Sequence, residues 1–133
     1  HPIEIALSLV VKIAAVILLG APVLAILIFE VVLNATAIFN HSNIKLPVKV
    51  DRFLRMFIVT QAMHRIHHSQ VVSETDSNFG FNLSIWDRLF GSYIADAKNG
   101  DDGIKLGLKE YSSPKANTSL KALLLMPFKH PPK

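Results

Sequence analysis

Apolar residues dominate the first third of the chain and become sparse after it. Of the first 39 residues, 29 are apolar and only Glu4, Lys12 and Glu30 are charged, whereas 38 of the remaining 94 are apolar and 21 are charged. The seventeen uncharged residues between Lys12 and Glu30 would form about 26 Å of helix, close to the ~30 Å of a bilayer core. This pattern predicts a membrane-embedded region over residues 1–39.

The motif Gly-Ala-Pro in the middle of this region predicts two helices, over residues 2–19 and 23–39. The alternative is one helix of about 37 residues kinked at Pro22, which would be about 55 Å long, nearly twice the hydrocarbon thickness. We therefore expect an antiparallel hairpin, which would return His1 and His41 to one membrane face. Because neither helix is long, shallow insertion without a full crossing is a further alternative.

The remainder of the chain predicts short helices joined by polar loops. The predicted elements are a helix over residues 52–68 with Asp51 as its N-cap, a loop over 69–77, a helix over 82–91, turns at 98–103 and 112–114, and an apolar segment over 120–128. The predicted fold class is all-α: an integral membrane helical hairpin, then a cytoplasmic histidine-bearing helix and a short, loop-rich C-terminal cap. We expect residues 1–39 and 40–133 to form one domain.

The charge distribution predicts the side of the membrane on which residues 40–133 lie. The net charge of +4 is made of about −1 over residues 1–39 and about +5 after them, and an excess of Lys and Arg behind an apolar segment is typical of the cytoplasmic flank. The basic residues are dispersed among acids without an aromatic platform, which argues against a nucleic-acid partner. The absence of cysteine excludes a disulfide framework and a thiolate metal site.

Three histidines at the end of the predicted helix over residues 52–68 form the sharpest candidate site. His67 and His68 lie at about 60° and 40° from His64 around a helix, so all three imidazoles point into one sector. Neutral imidazoles bind iron, zinc, copper or nickel. His41 adds a fourth ligand if the hairpin returns it to the same face. A solvated polar face or cations at a helix end are the alternatives.

Other conspicuous residues are interpreted as structural. Trp86 is expected to anchor the chain at the membrane interface or in the core, and Asp87 and Arg88 to form a local ion pair and cap. His130 belongs to no motif and is expected to be solvated.

Several segments, in the same order along the chain, resemble the fatty acid hydroxylase/sterol desaturase superfamily. The last histidine box of that family and the signature behind it are resembled by residues 64–69, 74–81 and 86–93. Residues 1–4 resemble the segment after its second box, and residues 40–43 resemble its intermediate His-Ser-Asn element. Residues 107–111 resemble part of its tail. The first two histidine boxes of the family are missing. We therefore expect the chain to be the C-terminal part of a longer protein.

The resemblance implies a membrane-bound, non-haem di-iron oxygenase that hydroxylates or desaturates a fatty acyl or sterol-like lipid. It implies two iron ions on the cytoplasmic face, O2 as co-substrate, and an electron donor such as a reductase, cytochrome or ferredoxin. By position, the implied metal ligands are His1, His41, His64, His67 and His68, with no catalytic residue beyond the ligands. Because the two missing boxes supply further ligands, we expect this chain alone to be inactive.

Metal-bound imidazoles need hydrogen-bonding partners that hold their orientation. Candidates near the histidines in sequence are Glu4, Asn40, Asn43, Asp76 and Asn78, of which Asp76 and Asn78 come first; the alternative is a loop that bonds its own backbone. Two other functions fit the same histidines. One is a zinc-dependent membrane hydrolase with Glu74 or Asp76 as general base, and the other is a non-catalytic membrane scaffold.

Overall fold

The computed structural model describes residues 1–109 and 119–129. These residues form helices and loops, with two isolated bridges in place of a sheet, which confirms the all-α class. They divide into two compact units, His1–Glu30 with the segment from Lys109 onwards, and Val31–Leu108. The predicted turn at residues 112–114, residues 110 and 111 of the family-like tail, and His130 lie outside the described residues.

The first two helices confirm the predicted hairpin. Helix α1 spans Pro2–Leu19, and helix α2 spans Val23–Asn40. The chain turns at Gly20, whose φ of 60° lies in the left-handed region that glycine adopts without a Cβ clash. Lys12 Nζ lies 2.8 Å from Glu30 Oε1. Since these two residues would be about 27 Å apart along one continuous helix, the ion pair excludes the kinked-helix alternative.

The hairpin helices contain almost no fully buried residues. Among their residues only Asn40 is buried, and their mean hydropathies are 2.3 and 2.1. Both helices are long and apolar enough to cross a membrane. Because so many exposed apolar side chains are unfavourable in water, the hairpin fits a lipid environment.

The second compact unit consists of the last part of α2, from Val31 onwards, and of the short helices and ordered loops that follow it. The short helices are α3 (Val48–Leu54), α4 (Gln61–His67), α5 (Val72–Thr75) and α6 (Ile85–Leu89), followed by a 3₁₀ turn at Asp101–Gly103. Helix α7 (Leu120–Leu125) and a 3₁₀ turn at Met126–Phe128 belong to the first unit and occupy the predicted apolar segment.

The prediction of one helix over residues 52–68 is wrong, because the chain leaves α3 at Leu54 and starts α4 only at Gln61. Backbone groups in between pair with residues 82–84 instead. Val59 N donates to Asn82 O at 2.9 Å, and Ser84 N donates to Phe57 O at 3.2 Å. Tertiary hydrogen bonds therefore override the helical propensity of this segment.

The caps of these helices also differ from the prediction. Asp51 does not cap a helix; it lies inside α3, where its Oδ2 is 2.5 Å from an Arg55 guanidinium nitrogen. Thr60 caps α4, because its Oγ1 accepts from Met63 N at 3.4 Å. The histidine-bearing helix thus begins nine residues later than predicted, at Gln61.

Helix α6 is shorter than the predicted helix over residues 82–91, and Asp87 and Arg88 bond to other groups rather than to each other. Asp87 is 1% exposed and accepts hydrogen bonds from Gly80 N at 2.8 Å and Ser92 Oγ at 2.7 Å. Arg88 donates to Arg55 O at 2.7 Å. The predicted local ion pair is therefore wrong.

The interior of the second unit is mainly polar. Its buried apolar residues are Val59, Met63 and Ile66, whereas its buried polar residues include Asn40, Asp51, Gln61, His64, Glu74, Asn78, Ser84 and Asp87. Most of these polar side chains hydrogen-bond to the backbone of loops, which satisfies backbone groups that no helix or sheet satisfies. We infer that buried hydrogen bonds contribute much of the order in this unit.

We expect Asp87→Ala to lower the free energy of unfolding by about 2–4 kcal/mol, because it removes a buried acceptor and leaves the partly buried donors of Gly80 and Ser92 without one. Denaturant unfolding in detergent micelles measures this change. The control is Asp96→Ala at an exposed carboxylate, with an expected effect within about 0.5 kcal/mol. If the two variants lost equal free energy of unfolding, the stabilising role given to the hydrogen bonds of Asp87 would be contradicted.

A pH-dependent contribution to stability is expected from Glu74, which is 3% exposed. Hydrogen bonds with Ser69 and with Lys98 N lower the pKa of its carboxyl below the usual 4.5. A lowered folded pKa stabilises the fold above the unfolded pKa, and this stabilisation is lost as the pH falls through the folded pKa. Glu74→Gln should therefore lower the melting temperature at neutral pH by more than in acid; a gap between the proteins that widens in acid would count against it.

Candidate metal centre

Three histidine side chains meet in the second compact unit through their Nε2 atoms. Nε2 of His64 lies 3.2 Å from that of His41 and 3.0 Å from that of His68, and the last two atoms are 3.3 Å apart. His41 directly follows α2, His64 lies in α4, and His68 is the C-cap of α4. The arrangement therefore joins the end of an apolar helix to the predicted histidine box.

One loop positions both sides of this cluster. Asn40 Nδ2 donates to Phe81 O at 2.7 Å, and Thr36 of α2 contacts the side chain of Asn82. The same loop holds the segment in front of α4 through the hydrogen bond from Val59 N to Asn82 O. The position of His41 relative to α4 thus depends on residues 81 and 82, which carry no predicted ligand.

Backbone carbonyls fix the tautomers of two histidines. His41 Nδ1 lies 2.8 Å from Ala37 O, and His67 Nδ1 lies 2.9 Å from Ser77 O. Because a carbonyl only accepts, Nδ1 carries the proton in each neutral ring and Nε2 keeps its lone pair for a ligand. Neither carbonyl was predicted. The four-residue helical spacing from Ala37 to His41 is a usable sequence signal, whereas Ser77 offers none.

The environment of the cluster favours the neutral form of His64 and His68. Burial lowers the pKa of His64 to about 4, and the neighbouring imidazoles of His68 and His41 add to the shift. Burial likewise lowers the pKa of His68. Neutral rings offer lone pairs to a cation without first losing a proton. The buried Nδ1 of His64 has no hydrogen-bond partner within the described residues, so no hydrogen bond there selects its tautomer.

The spacing of the three nitrogens fits a shared cation. Two nitrogens bound to one ion at about 2.1 Å and at right angles are about 3.0 Å apart, close to the observed 3.0–3.3 Å. Hydrogen bonds between neutral imidazoles explain the spacing less well. Nε2 of His41 carries no proton in the neutral ring. If Nε2 of both His64 and His68 carried a proton, the two protons would face each other. If only one of them did, one of the three contacts between nitrogens would have no proton to form a hydrogen bond.

The group of three converging nitrogens consists of His41, His64 and His68, and His67 is not a member of it. The His67 ring centre is 5.7 Å from that of His64 and 5.3 Å from that of His68. His1 belongs to the first compact unit, where its Nδ1 accepts from Ile3 N at 3.2 Å and its Nε2 lies 3.1 Å from Leu124 O.

The predicted hydrogen-bonding partners of the imidazoles have different surroundings. Asn78 is fully buried, and its side chain bonds Met63 O, Ile94 O and Ile94 N at 2.9–3.0 Å. It therefore ties α4 to the loop that contains Ile94. Asp76 is exposed at the end of α5, and a Glu4 carboxylate oxygen lies 3.5 Å from the N-terminal amine.

Asn43 lies beside the histidine cluster. Together with His41, His68 and Arg65 it lines a cavity of about 400 Å³. This cavity gives two of the three clustered imidazoles access to solvent or to a small ligand. A larger cavity of about 600 Å³ is lined by other residues and includes none of the histidines.

The fold and the site define a membrane-associated helical protein with a cluster of three histidines at the end of an apolar helix. Residues 1–92 match the family model named fatty acid hydroxylase. The chain belongs to the fatty acid hydroxylase family.

A curated relative supports this assignment. Over 76 residues the chain is 36% identical to the ornithine lipid hydroxylase OlsE of Rhizobium tropici. The aligned region covers 57% of this chain and 22% of the relative, so the chain spans about a fifth of that protein. No solved structure was found to match.

A substitution of Asn78 distinguishes the contribution of its backbone conformation to stability from the contribution of its side-chain hydrogen bonds. Its φ of 47° is easy for glycine, so Asn78→Gly would be harmless if backbone conformation were its only role. We expect this variant to lower the free energy of unfolding by about 2–4 kcal/mol, because the three hydrogen bonds of a fully buried side chain are lost. Denaturant unfolding tests this, with Asn99→Gly at an exposed turn as control. A neutral Asn78→Gly would refute the role given to its side chain.

Proposed function

We propose that this chain contributes histidine ligands to the non-haem di-iron centre of an O2-dependent lipid hydroxylase. The observation that carries the proposal is the convergence of three imidazole Nε2 atoms within 3.0–3.3 Å of one another. Membership of the fatty acid hydroxylase family and the similarity to an ornithine lipid hydroxylase support a lipid as substrate.

The proposed ligands have distinct roles. His41, His64 and His68 would hold one cation through their clustered nitrogens. His67, whose Nδ1 is held by Ser77 O, would offer its Nε2 to the second cation. His1 is proposed as a further ligand from its position in the family pattern alone.

The proposed outer residues act at different distances from the centre. Asn43 lines the cavity beside His41 and His68, where its amide would orient water or a lipid headgroup. Asn78 would act indirectly, by fixing the backbone of α4 at Met63. Asp76 and Glu4 stay predictions from sequence proximity.

Bound iron would supply the activation of O2 that oxidation of an unactivated C–H bond requires, because no side chain provides such an oxidant. In the overall hydroxylation, one oxygen atom enters the C–H bond and the other leaves as water. This balance requires two electrons and two protons, which a reductase, cytochrome or ferredoxin would deliver. The chain itself would contribute neutral imidazoles, which leave the positive charge of the centre undiminished.

The membrane hairpin would bring this chemistry to its substrate. An acyl chain dissolved in the bilayer reaches a site at a membrane surface without leaving the lipid phase. We propose the cytoplasmic face, because the excess of Lys and Arg follows the second apolar helix directly.

Alanine substitution of the clustered histidines tests the proposal. His41→Ala, His64→Ala and His68→Ala should each reduce bound iron at least about tenfold, because each removes one converging nitrogen. Iron content is measured by mass spectrometry on protein expressed from its intact gene and purified without O2. Lipid hydroxylation is then followed after O2 and a reductant are added.

The matched control is His130→Ala, because His130 is a histidine that belongs to no motif. It should retain both iron and lipid hydroxylation. Iron content that is unchanged in all three cluster variants would favour the scaffold alternative. Tightly bound zinc without O2 consumption would favour the hydrolase.

A further inference from the structure

Helix α6 presents its apolar side chains outwards and its polar side chains inwards. Ser84 and Asp87 are buried, whereas Trp86, Leu89 and Phe90 are 51%, 68% and 77% exposed. Ile85 is exposed as well, and at 100° per residue these four apolar residues cover a sector of about 140° opposite the buried pair. This is the reverse of an amphipathic helix on a protein surface in water.

A neighbouring segment extends the exposed apolar area. Phe57 and Leu83 are both exposed, and their segments are joined by the bridge between Ile58 and Leu83 and by the hydrogen bond from Ser84 N to Phe57 O. We name the set Phe57, Leu83, Ile85, Trp86, Leu89 and Phe90 the α6 surface. Exposed apolar patches of this kind usually mark a contact with lipid or another protein.

Contacts within the second compact unit join the segment before this surface to the end of α2. Thr36 and Asn40, in the last two turns of α2, contact Asn82 and Phe81, immediately before the α6 surface begins. The end of a membrane helix lies at the boundary between hydrocarbon and headgroups. The α6 surface therefore starts at that boundary.

The chemistry of the α6 surface and its surroundings fits this boundary. Trp86 combines an apolar ring with one N–H donor, which makes tryptophan typical of the headgroup level. Lys49 and Arg52, exposed on the neighbouring α3, supply positive charges that attract lipid phosphates.

We propose that the α6 surface inserts into the headgroup region of the bilayer and docks the second compact unit onto the membrane. The occupant of this surface is lipid. The loop at residues 81 and 82 also positions His41 and α4. This docking would therefore hold the histidine cluster close to the headgroup ends of the acyl chains. The inference requires α2 to lie in the membrane but does not depend on metal binding.

Trp86 is the single tryptophan of the chain, so its fluorescence reports on the α6 surface alone. The full chain is reconstituted into phosphatidylcholine vesicles and recovered by flotation. Its emission is then compared in plain lipid, in lipid brominated near the headgroup end of the acyl chain, and in lipid brominated near the methyl end. We expect bromine near the headgroup to reduce the emission at least about twofold, bromine near the methyl end to reduce it less, and aqueous acrylamide to have little effect.

The matched control carries Trp86→Phe with Asn99→Trp, which moves the fluorophore to an exposed polar turn. It should be quenched by acrylamide and not by brominated lipid. Acrylamide quenching of Trp86 in the unsubstituted chain would overturn the proposal by showing that the surface faces water. Resistance to both quenchers would also overturn it, by showing that protein covers the surface. Loss of iron binding would leave the Trp86 result unchanged, so the two proposals fail separately.

Discussion

Three buried side chains hold the second compact unit together by hydrogen bonds to irregular backbone. Asn40 bonds Phe81, Asp87 bonds Gly80, and the Asn78 side chain reaches from the same loop to the backbone of α4. Because backbone groups removed from water need partners, each of these side chains determines where one segment lies. A unit with so few buried apolar residues depends on these bonds more than on close packing.

The loop that contains residues 81 and 82 determines the geometry of the candidate metal centre. Residues 81 and 82 bond α2 on one side and the segment before α4 on the other, so His41 and His64 are positioned by a common element. Carbonyl oxygens then orient the rings of His41 and His67. Ligands held in this way lose little conformational freedom on binding a cation.

The hairpin and part of the site could be predicted because their signals are local. Apolar runs interrupted by Gly-Ala-Pro set the bounds of α1 and α2, and the spacing of His64 and His68 sets their shared helical sector. The helix over residues 52–68 was mispredicted because its middle bonds a segment some 25 residues away. The carbonyl of Ser77 could not be found from sequence, since only the folded loop brings it to His67.

The ion pair between Lys12 and Glu30 makes the number of helical residues between the two charges matter. One residue inserted into α1 or α2 between them would rotate one charge by about 100° around its helix and shift it by 1.5 Å, which separates the charges within the apolar hairpin. Apolar substitutions in the two helices, with Gly20 kept at its φ of 60°, leave this register intact. Such a hairpin therefore accommodates substitutions between the two charged residues far better than insertions or deletions.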